Sequence, residues 1–317
     1  MIKDNQYAIE VDGLTKRYGG LLAVNNISFT VRKGEVFAFL GVNGAGKTTT
    51  VEIIETIRPL TSGRVSILGM DVTKKKRDII RRIGVLPQGF NSFDRITVRE
   101  TIQYFLRLFG RSNSEADGLI NLVDLKEKST EQFKTLSGGL KQRLGIAVAL
   151  VNDPEVVFLD EPTTGLDPRS RREVWDVLLS LKNKGKTVFL TTHYMEEAEL
   201  LADRVAIIHK GKIIAIDPPA QLTEDYDNYI ILTLKSPKGK ASEIIREVGF
   251  EPINDKRGDI KVRLEHTEDV QRILNAVKEG GASFHGLDVR TPNLEEVFLK
   301  LTGDSIHEET AGERLAK

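Results

Sequence analysis

The chain of 317 residues contains no cysteine. This absence excludes disulfide frameworks, thiolate zinc sites and cysteine nucleophiles, and it fits a reducing, cytoplasmic setting. No stretch approaches the roughly 18 apolar residues that a membrane-spanning helix needs. The first segment, MIKDNQYAIEV, also lacks the apolar region of a secretory signal. We therefore expect a protein that does not cross a bilayer by itself.

The chain also lacks an excess of charge of either sign, because Lys+Arg and Asp+Glu each number 46. Nucleic-acid-binding proteins usually have a basic excess, so the balance argues against that class. The densest basic cluster, Lys74–Arg77 with Arg81 and Arg82, is interpreted as the solvated face of a helix. With 40% hydrophobic residues, the chain is long enough to form more than one domain.

Strand and helix patterns alternate along the first two thirds of the chain. Residues 7–40 have strand patterns and end in the continuous apolar run EVFAFL. Residues 90–150 are predicted to form a helical lobe, which begins with a capping-box pair, Thr97 and Glu100. Strand patterns return in three short segments: 156–160, 187–192 and 204–208. The alternation predicts a parallel sheet covered by helices, preceded by antiparallel N-terminal strands.

The character of the sequence changes after Asp217, where two prolines follow. Shorter strand and helix patterns then alternate, which predicts a small α+β arrangement that closes with the helix PNLEEVFLKLTG. We place the first domain at 1–220 and the second at 221–303. The remaining residues, 304–317, are predicted to be a polar tail.

The segment GVNGAGKTT, Gly41–Thr49, matches the phosphate-binding pattern G-x-x-x-x-G-K-T and lies between a predicted strand and a predicted helix. In this pattern successive backbone N–H groups surround phosphates, and glycines allow the close approach. Lys47 would neutralise phosphate charge, and the hydroxyl of Thr48 can bind Mg²⁺. A tight glycine turn with an exposed lysine is the alternative, and it leaves the flanking strand and helix unexplained.

Two carboxylates stand at the end of the buried strand in VVFLDEP, Val156–Pro162. Asp160 is placed to hold Mg²⁺ through water, and Glu161 to polarise an attacking water as a general base. The alternative is that the pair only caps the next helix.

A polar glycine turn precedes a helix in TLSGGLKQRLGIAVAL, Thr135–Leu150. Bare N–H groups at a helix start, together with the hydroxyl of Ser137, are suited to binding an anion. Three further residues are ambiguous by themselves. His193 ends a strand and fits a structural role, Gln88 carries little signal, and Tyr18 either stacks on a purine or covers a strand end.

Together and in this order, the motifs over about residues 7–217 resemble those of the ATP-binding subunit of an ABC transporter. The correspondence covers Tyr18 as the A-loop aromatic, Gly41–Thr48 as Walker A, Gln88 as the Q-loop, Leu136–Leu140 as the signature, Val156–Asp160 as Walker B, Glu161 as the catalytic glutamate, Gly165–Asp167 as the D-loop and His193 as the switch histidine. The signature departs from the commonest family pattern at Leu140, where glutamine is usual.

The resemblance implies an α/β fold with a P-loop NTPase core and helical lobe, and ATP hydrolysis that depends on Mg²⁺. It implies catalytic roles for Glu161, His193, Lys47 and Gln88, and metal binding by Thr48, Gln88 and Asp160. The residues implied to contact the nucleotide are Tyr18, Gly41, Asn43, Gly44, Ala45, Gly46, Lys47, Thr48, Thr49, Ser137, Gly138, Gly139 and Asp167. Among these, Ser137, Gly138 and Gly139 would meet the γ-phosphate of ATP held by a second copy or a related subunit.

The resemblance also implies a separate membrane subunit and a peripheral position on the cytoplasmic face of the membrane. We expect that subunit to dock on the lobe just after Gln88, near Phe90 and Phe93, and we expect Phe105 and Phe109 to pack in the lobe core.

The finer similarity is to the ATPases of antibiotic and multidrug exporters, the daunorubicin-resistance group among them, and it is strongest in TPNLEEVFLKLTG. The alternatives are an importer ATPase, an exporter of lipids, ions or carbohydrates, and a soluble ABC ATPase acting on ribosomes or DNA. A small-molecule kinase would leave the signature, Glu161 and His193 unexplained.

Overall fold

A computed structural model describes residues 6–226, 229–255 and 257–303. The predicted polar tail, 304–317, lies outside the described residues. The described chain forms two compact units, one ending at Pro219 and the other starting at Ala220.

Two sheets form the framework of the first unit. Its strands are β1 (Tyr7–Tyr18), β2 (Leu21–Arg32), β3 (Val36–Leu40), β4 (Ser62–Ile67), β5 (Met70–Asp71), β6 (Ile83–Leu86), β7 (Val156–Asp160), β8 (Thr187–Thr192), β9 (Arg204–His209) and β10 (Lys212–Asp217). An antiparallel sheet has the order β2-β1-β4-β5, and a six-stranded sheet the order β10-β9-β3-β8-β7-β6. Strands β9, β3, β8, β7 and β6 are parallel, as the sequence predicts.

Strand β10 differs from the predicted parallel sheet, because it pairs antiparallel with β9 at the sheet edge. The two strands are joined by only Lys210 and Gly211, which both have positive φ. A two-residue loop of this kind forms a tight hairpin and forces the antiparallel direction.

The helices of the first unit lie between the strands of the parallel sheet or in the lobe. They are α1 (Lys47–Ile54), α2 (Lys76–Ile80), α3 (Val98–Leu108), α4 (Ala116–Leu122), α5 (Gly138–Ala149), α6 (Pro168–Asn183) and α7 (Met195–Leu201), with 3₁₀ turns at Asn113–Glu115, Lys126–Lys128 and Phe133–Thr135. The predicted capping box of Thr97 and Glu100 is present at the start of α3. Helix α8 (Pro219–Tyr226) follows at the boundary between the two units.

The parallel sheet separates two hydrophobic cores, because successive strand residues face opposite sides. On one side, Phe37 and Phe189 pack against the antiparallel sheet and α1, with ring centroids 5.6 Å apart. On the other side, Val188 and Leu190 pack under the helical lobe and α6. Because a core covers each face of the parallel sheet, its strands are apolar on both faces and stand in the sequence as continuous apolar runs.

The second unit contains a four-stranded antiparallel sheet of order β12-β13-β11-β14. Its elements are β11 (Ile230–Lys235), α9 (Ala241–Glu247), β12 (Pro252–Asn254), β13 (Ile260–Leu264), α10 (Thr267–Glu279), β14 (Gly286–Arg290) and α11 (Leu294–Thr302). Helix α11 is defined by local signals, with a capping box of Asn293 and Glu296 at its start and left-handed Gly303 at its end.

Within the residues that the structure describes, no helix combines the length and the apolar composition needed to cross a membrane.

Glu55 follows α1 directly and is buried, with 6% of its surface exposed. Burial raises the pKa of its carboxyl group to about 8, and the negative charges of Asp160 and Glu52 contribute. The folded protein therefore holds a proton on Glu55 at pH values where the unfolded chain, with a pKa near 4.5, has lost it. Stability is greatest below pH 4.5 as far as this group is concerned, and it declines as the pH rises to about 8.

We predict that Glu55→Gln increases the free energy of unfolding at pH 8.5 by up to about 5 kcal/mol relative to the wild type, since each pKa unit corresponds to roughly 1.4 kcal/mol. The variant should differ little from the wild type at pH 5. Urea unfolding at pH 5, 7 and 8.5 measures this, with the exposed Glu127→Gln as control. An unchanged pH dependence in Glu55→Gln would contradict the assignment.

Candidate functional site

The phosphate loop connects β3 to α1, and its conformation depends on two glycines. Gly46 has a φ of 104°, and a Cβ there would lie 2.6 Å from the carbonyl oxygen of Ala23. A Cβ on Gly41 would lie 2.4 Å from the carbonyl oxygen of Ile208. The loop is therefore packed against β2 and β9 at distances that exclude side chains, and its backbone is fixed before any ligand binds.

A cavity of about 500 Å³ opens above this loop. Nine of the predicted site residues line it: Tyr18, Asn43, Gly44, Gly46, Lys47, Thr48, Thr49, Gln88 and Glu161. Leu21, Leu22, Ala23, Lys210 and Gly211 complete the wall, and none of these five was predicted. They come from β2 and from the β9–β10 hairpin, and their sequence carries no polar signal that marks a site.

Lys47 is the first residue of α1, and only 4% of its surface is exposed. Its Nζ donates hydrogen bonds to the carbonyl oxygens of Gly41, at 2.7 Å, and Val42, at 3.2 Å. It also lies 3.3 Å from Oε1 of Glu161. The ammonium group is thus held inside the loop and directed toward the end of β7.

Glu161 lies at the centre of the site. Its Oε2 accepts hydrogen bonds from Thr164, at 2.9 Å, and from Nε2 of Gln88, at 3.4 Å, and it lies 3.3 Å from Nδ1 of His193. Burial by itself would raise the pKa of Glu161, but His193 and the charge of Lys47 outweigh it and lower the pKa to about 2. The carboxylate is therefore ionised at neutral pH.

Asp160 is buried at the end of β7, where the hydroxyl of Thr191 donates to its carboxylate. Burial raises the pKa of Asp160 more than the bond from Thr191 lowers it, and the charge of Glu161 raises it further. Thr48 also hydrogen-bonds to Asp160 and lowers the pKa. The charge of Lys47 also lowers the pKa of Asp160, but burial outweighs it and the pKa stays above its ordinary value.

Tyr18 projects from the end of β1 into the cavity and is 38% exposed. The Nζ of Lys16 lies 4.9 Å from the centre of its ring and donates to the carbonyl oxygen of Pro59. Lys16 itself does not line the cavity. The ring is supported by a buried cation and still has surface that a planar ligand can reach.

The signature residues do not reach the cavity of their own chain. Ser137 is exposed at the start of α5, where its hydroxyl accepts from the backbone N–H of Leu140. Gly138 is exposed as well, and Gly139 is buried. The side chain of Leu140, which replaces the usual glutamine, packs against the lobe core.

Asp167 also lies outside the cavity, at the start of α6, where it accepts from the backbone of Arg169 and Ser170. The signature helix α5 is connected to α6 by Arg143, which lies 3.3 Å from Glu173. The exposed signature and the exposed D-loop therefore stand at the starts of two linked helices.

Sequence reasoning missed Thr164 and Thr191, which contact the two carboxylates directly. Both are threonines beside predicted site residues, in DEPTT and TTH. Their hydroxyls alone give a weak signal, because threonine side chains also commonly bond ordinary backbone groups.

Comparison with known proteins extends the geometric result. Residues 24–164 match the family model described as ABC transporter. The chain is 37% identical to a daunorubicin resistance ATP-binding protein of Streptomyces coeruleorubidus, over 94% of this chain and 96% of that protein. It is 38% identical to a Nod factor export ATP-binding protein I of Burkholderia lata, over 93% of this chain and 97% of the relative.

Among solved structures, an ATP-binding cassette determined as a dimer in a post-hydrolysis state with ADP and Pi is 26% identical, with a TM-score of 0.60. It covers 66% of this chain, and 98% of the cassette is matched. A Clostridium perfringens protein that is part of an ABC transporter complex is 27% identical with a TM-score of 0.62, over 68% of this chain and 90% of its own.

These matches confirm the predicted P-loop NTPase core and the predicted exporter-type ABC ATPase. Subunits of this family bind ATP, work in pairs and associate with a membrane partner. The chain belongs to the ABC transporter family, as an ATP-binding and ATP-hydrolysing subunit of the group that includes these export proteins.

Proposed function

We propose that ATP occupies the 500 Å³ cavity, with its phosphates on the loop Gly41–Thr49 and its base on Tyr18. The observation that carries this proposal is the convergence of Lys47 and Glu161, which lie 3.3 Å apart at one wall of the cavity. A cation among bare backbone N–H groups binds phosphate, and the adjacent carboxylate is positioned to act on water.

Phosphate binding changes the charge that Glu161 experiences. In the structure, Lys47 lowers the pKa of this carboxyl group. When Lys47 turns to the phosphates of ATP, that lowering is lost and the phosphate charge acts in the opposite direction. Glu161 then becomes a stronger proton acceptor at the moment when the substrate is present, while Gln88 and His193 hold its Oε2 in place.

The residues present fit Mg²⁺. Asp160, Thr48 and Gln88 offer a carboxylate, a hydroxyl and an amide oxygen, and Mg²⁺ prefers a few oxygen ligands together with substrate phosphates. Burial and the charge of Glu161 raise the pKa of Asp160, and a bound cation would lower it. Mg²⁺ supplies charge neutralisation of the phosphates when it is bound, and these three residues would hold it.

We predict that Glu161→Gln lowers kcat by roughly 10²–10⁴-fold, the usual cost of removing a general base. The affinity for ATP should remain, because Lys47 and the loop hold the phosphates. The rate of inorganic phosphate release measures kcat, and titration with ATP measures the affinity. Size exclusion chromatography should show an ATP-bound dimer. Glu196→Gln, exposed and three residues beyond His193, is the control. Wild-type turnover by Glu161→Gln would remove this residue from the role.

The second half of the site comes from another subunit. Ser137 and Gly138 are exposed at a helix start and carry the N–H groups that suit an anion, yet neither lines the cavity of its own chain. A γ-phosphate held by a partner copy satisfies this arrangement. Nucleotide binding and dimer closure then become one event, which hydrolysis reverses.

A test of the shared site combines two inactive variants. Ser137→Arg should leave ATP binding at its own loop nearly unchanged, but it should block closure because the side chain fills the phosphate space. Lys47→Ala removes the loop cation and keeps the signature. A mixed dimer has one intact loop facing one intact signature, so we predict that mixing restores hydrolysis at one site.

The readout is ATPase activity of a verified mixed dimer, purified through two different affinity tags. Each variant alone is the control. A mixed dimer without activity would contradict the shared site for an enzyme in which one site can work alone.

The membrane partner is proposed to dock in a second cavity of the first unit, which has a volume of about 410 Å³. Its walls come from the end of α1, from α2 and β6, from α3 and from the end of α5. The apolar lining residues are Ile57, Ile80, Ile83, Val85, Phe105, Phe109, Val148 and Ala149. Three of them are well exposed: Ile57 at 60%, Ile80 at 41% and Phe109 at 43%. A short amphipathic helix of the membrane subunit fits such a groove.

This position bears on two expectations from the sequence: that Phe109 packs in the lobe core, and that Phe90 and Phe93 lie near the docking site. Phe109 was expected in the lobe core, and its exposure shows that this is wrong, because it points into the groove. Phe105 lines the groove and also packs against the core. Phe90 packs against the core and Phe93 is 58% exposed, and neither lines the groove.

We predict that Ile80→Glu reduces the fraction of the protein recovered with membrane vesicles of the producing cells and leaves ATP hydrolysis by the purified subunit unchanged. A charge in the groove must be desolvated when an apolar helix docks. Leu108→Glu is the matched control, since Leu108 is 62% exposed next to Phe109 but lies outside the groove. Equal membrane recovery for both variants would place the contact elsewhere.

We propose that the cargo is exported and that the subunit sits peripherally on the cytoplasmic face of the membrane. Similarity to the daunorubicin resistance and Nod factor export proteins extends over 93–94% of this chain, which includes the second unit. The solved cassettes cover only about two thirds of it. Efflux from vesicles containing the membrane partner, against uptake into cells, distinguishes the two directions.

A further inference from the structure

Thr191 is a fully buried hydroxyl at the end of β8, beside both carboxylates of the site. It pairs with Asp160 across the parallel strands β7 and β8, and with Phe39 on the opposite side. The alternation of side chains places it on the same sheet face as Phe189, which packs in the apolar layer. A threonine hydroxyl buried at this position destabilises the protein unless it forms hydrogen bonds.

The hydroxyl of Thr191 acts as a donor to Asp160 and as an acceptor from Glu161. Its hydrogen is donated to Oδ1 of Asp160, and its oxygen accepts from the backbone N–H of Glu161 at 3.0 Å. A hydroxyl offers one donor and two acceptor positions, so this one is satisfied by the two neighbouring residues. Among the described residues, the hydroxyl of Thr191 forms no hydrogen bond with any other catalytic residue.

The backbone of Glu161 needs such support. Its φ is 47°, a left-handed conformation that costs free energy in a residue other than glycine. The N–H of Glu161 is directed at Thr191 twice, at 3.1 Å to the carbonyl oxygen and 3.0 Å to the hydroxyl. This conformation turns the glutamate side chain away from the strand line and toward Lys47 and His193.

We propose that Thr191 is a positioning residue that orients Asp160 and Glu161 together, and so sets both the affinity of the site for Mg²⁺ and the rate of hydrolysis. With Oδ1 of Asp160 engaged by Thr191, the carboxylate is held in one orientation relative to Thr48 and the phosphate loop. The proposal rests on the proposed function, because it assumes the metal and base roles of these two carboxylates.

Thr191→Val removes the hydroxyl and keeps the shape of the side chain. The ladder bond from Glu161 to the Thr191 carbonyl survives, while Asp160 loses its buried donor. Changes next to a metal ligand commonly reduce metal affinity or activity about 10–100-fold, and we expect kcat to fall and the half-saturating Mg²⁺ concentration to rise within that range. ATP affinity measured without Mg²⁺ should stay within about 2-fold, since Lys47 and the loop are untouched.

The matched control is Thr187→Val in the same strand. Thr187 is 3% exposed, and its hydroxyl likewise accepts from a backbone N–H, that of Gly34, at 3.0 Å. It lies at the other end of β8, away from the cavity. The loss of thermal stability should be similar for the two valine variants, whereas the Mg²⁺ dependence and kcat should change only in Thr191→Val.

Calorimetric titration of ATP with and without Mg²⁺ gives a readout that does not depend on turnover. Thr191→Ser keeps the hydroxyl and should restore the gain in ATP affinity that Mg²⁺ provides. If Thr191→Val does not fold, Thr191→Ala removes the same hydroxyl without adding volume. Wild-type Mg²⁺ dependence and kcat in a folded variant without the hydroxyl would overturn the proposal, as would equal changes in Thr187→Val.

Failure of this proposal is distinguishable from failure of the proposed function. An inactive Glu161→Gln together with a normal Thr191→Val would remove only the role of Thr191. A fully active Glu161→Gln would remove the proposed mechanism and the role of Thr191 with it.

Discussion

The contact between the Lys47 ammonium and the Glu161 carboxylate joins the phosphate loop to the end of β7. The two side chains are only 4% and 7% exposed, so each charge is taken out of water and needs the other. Removing one of them takes an opposite charge away from the buried charge that stays. The site is therefore held together by this pair, and in the function proposed above ATP separates it, which would couple phosphate binding to the state of the Glu161 carboxylate.

The framework of the fold brings this pair together. Strands β3, β8 and β7 are neighbours and parallel, so the phosphate loop, His193 and Glu161 emerge at the same edge of the sheet. Ligands of open α/β sheets bind outside the carboxyl ends of the strands for this reason. A core on each face keeps the three strands in register. Phe158 and Phe189, 5.7 Å apart between ring centres, are directly beneath the residues that form the site.

The groups outside the cavity are the basis for the proposal that one chain holds only part of the site. Ser137 and Asp167 each cap the start of a helix, and the two helices are connected through Arg143 and Glu173. The proposed docking groove at Ile80 has walls from both the lobe and the neighbouring core, so an occupant of the groove would contact both.

The sequence by itself determined the phosphate loop, Asp160, Glu161 and the helical lobe, because these depend on local patterns: a glycine spacing, apolar strand runs and a capping box. It did not determine that Phe109 faces a groove or that β10 runs antiparallel. Only the tertiary structure decided that a hydroxyl of β8 would bond the carboxylate of Asp160 and the backbone N–H of Glu161, and that Glu55 would keep its proton to about pH 8. Those properties arise from burial and from contacts between distant strands, which no local pattern encodes.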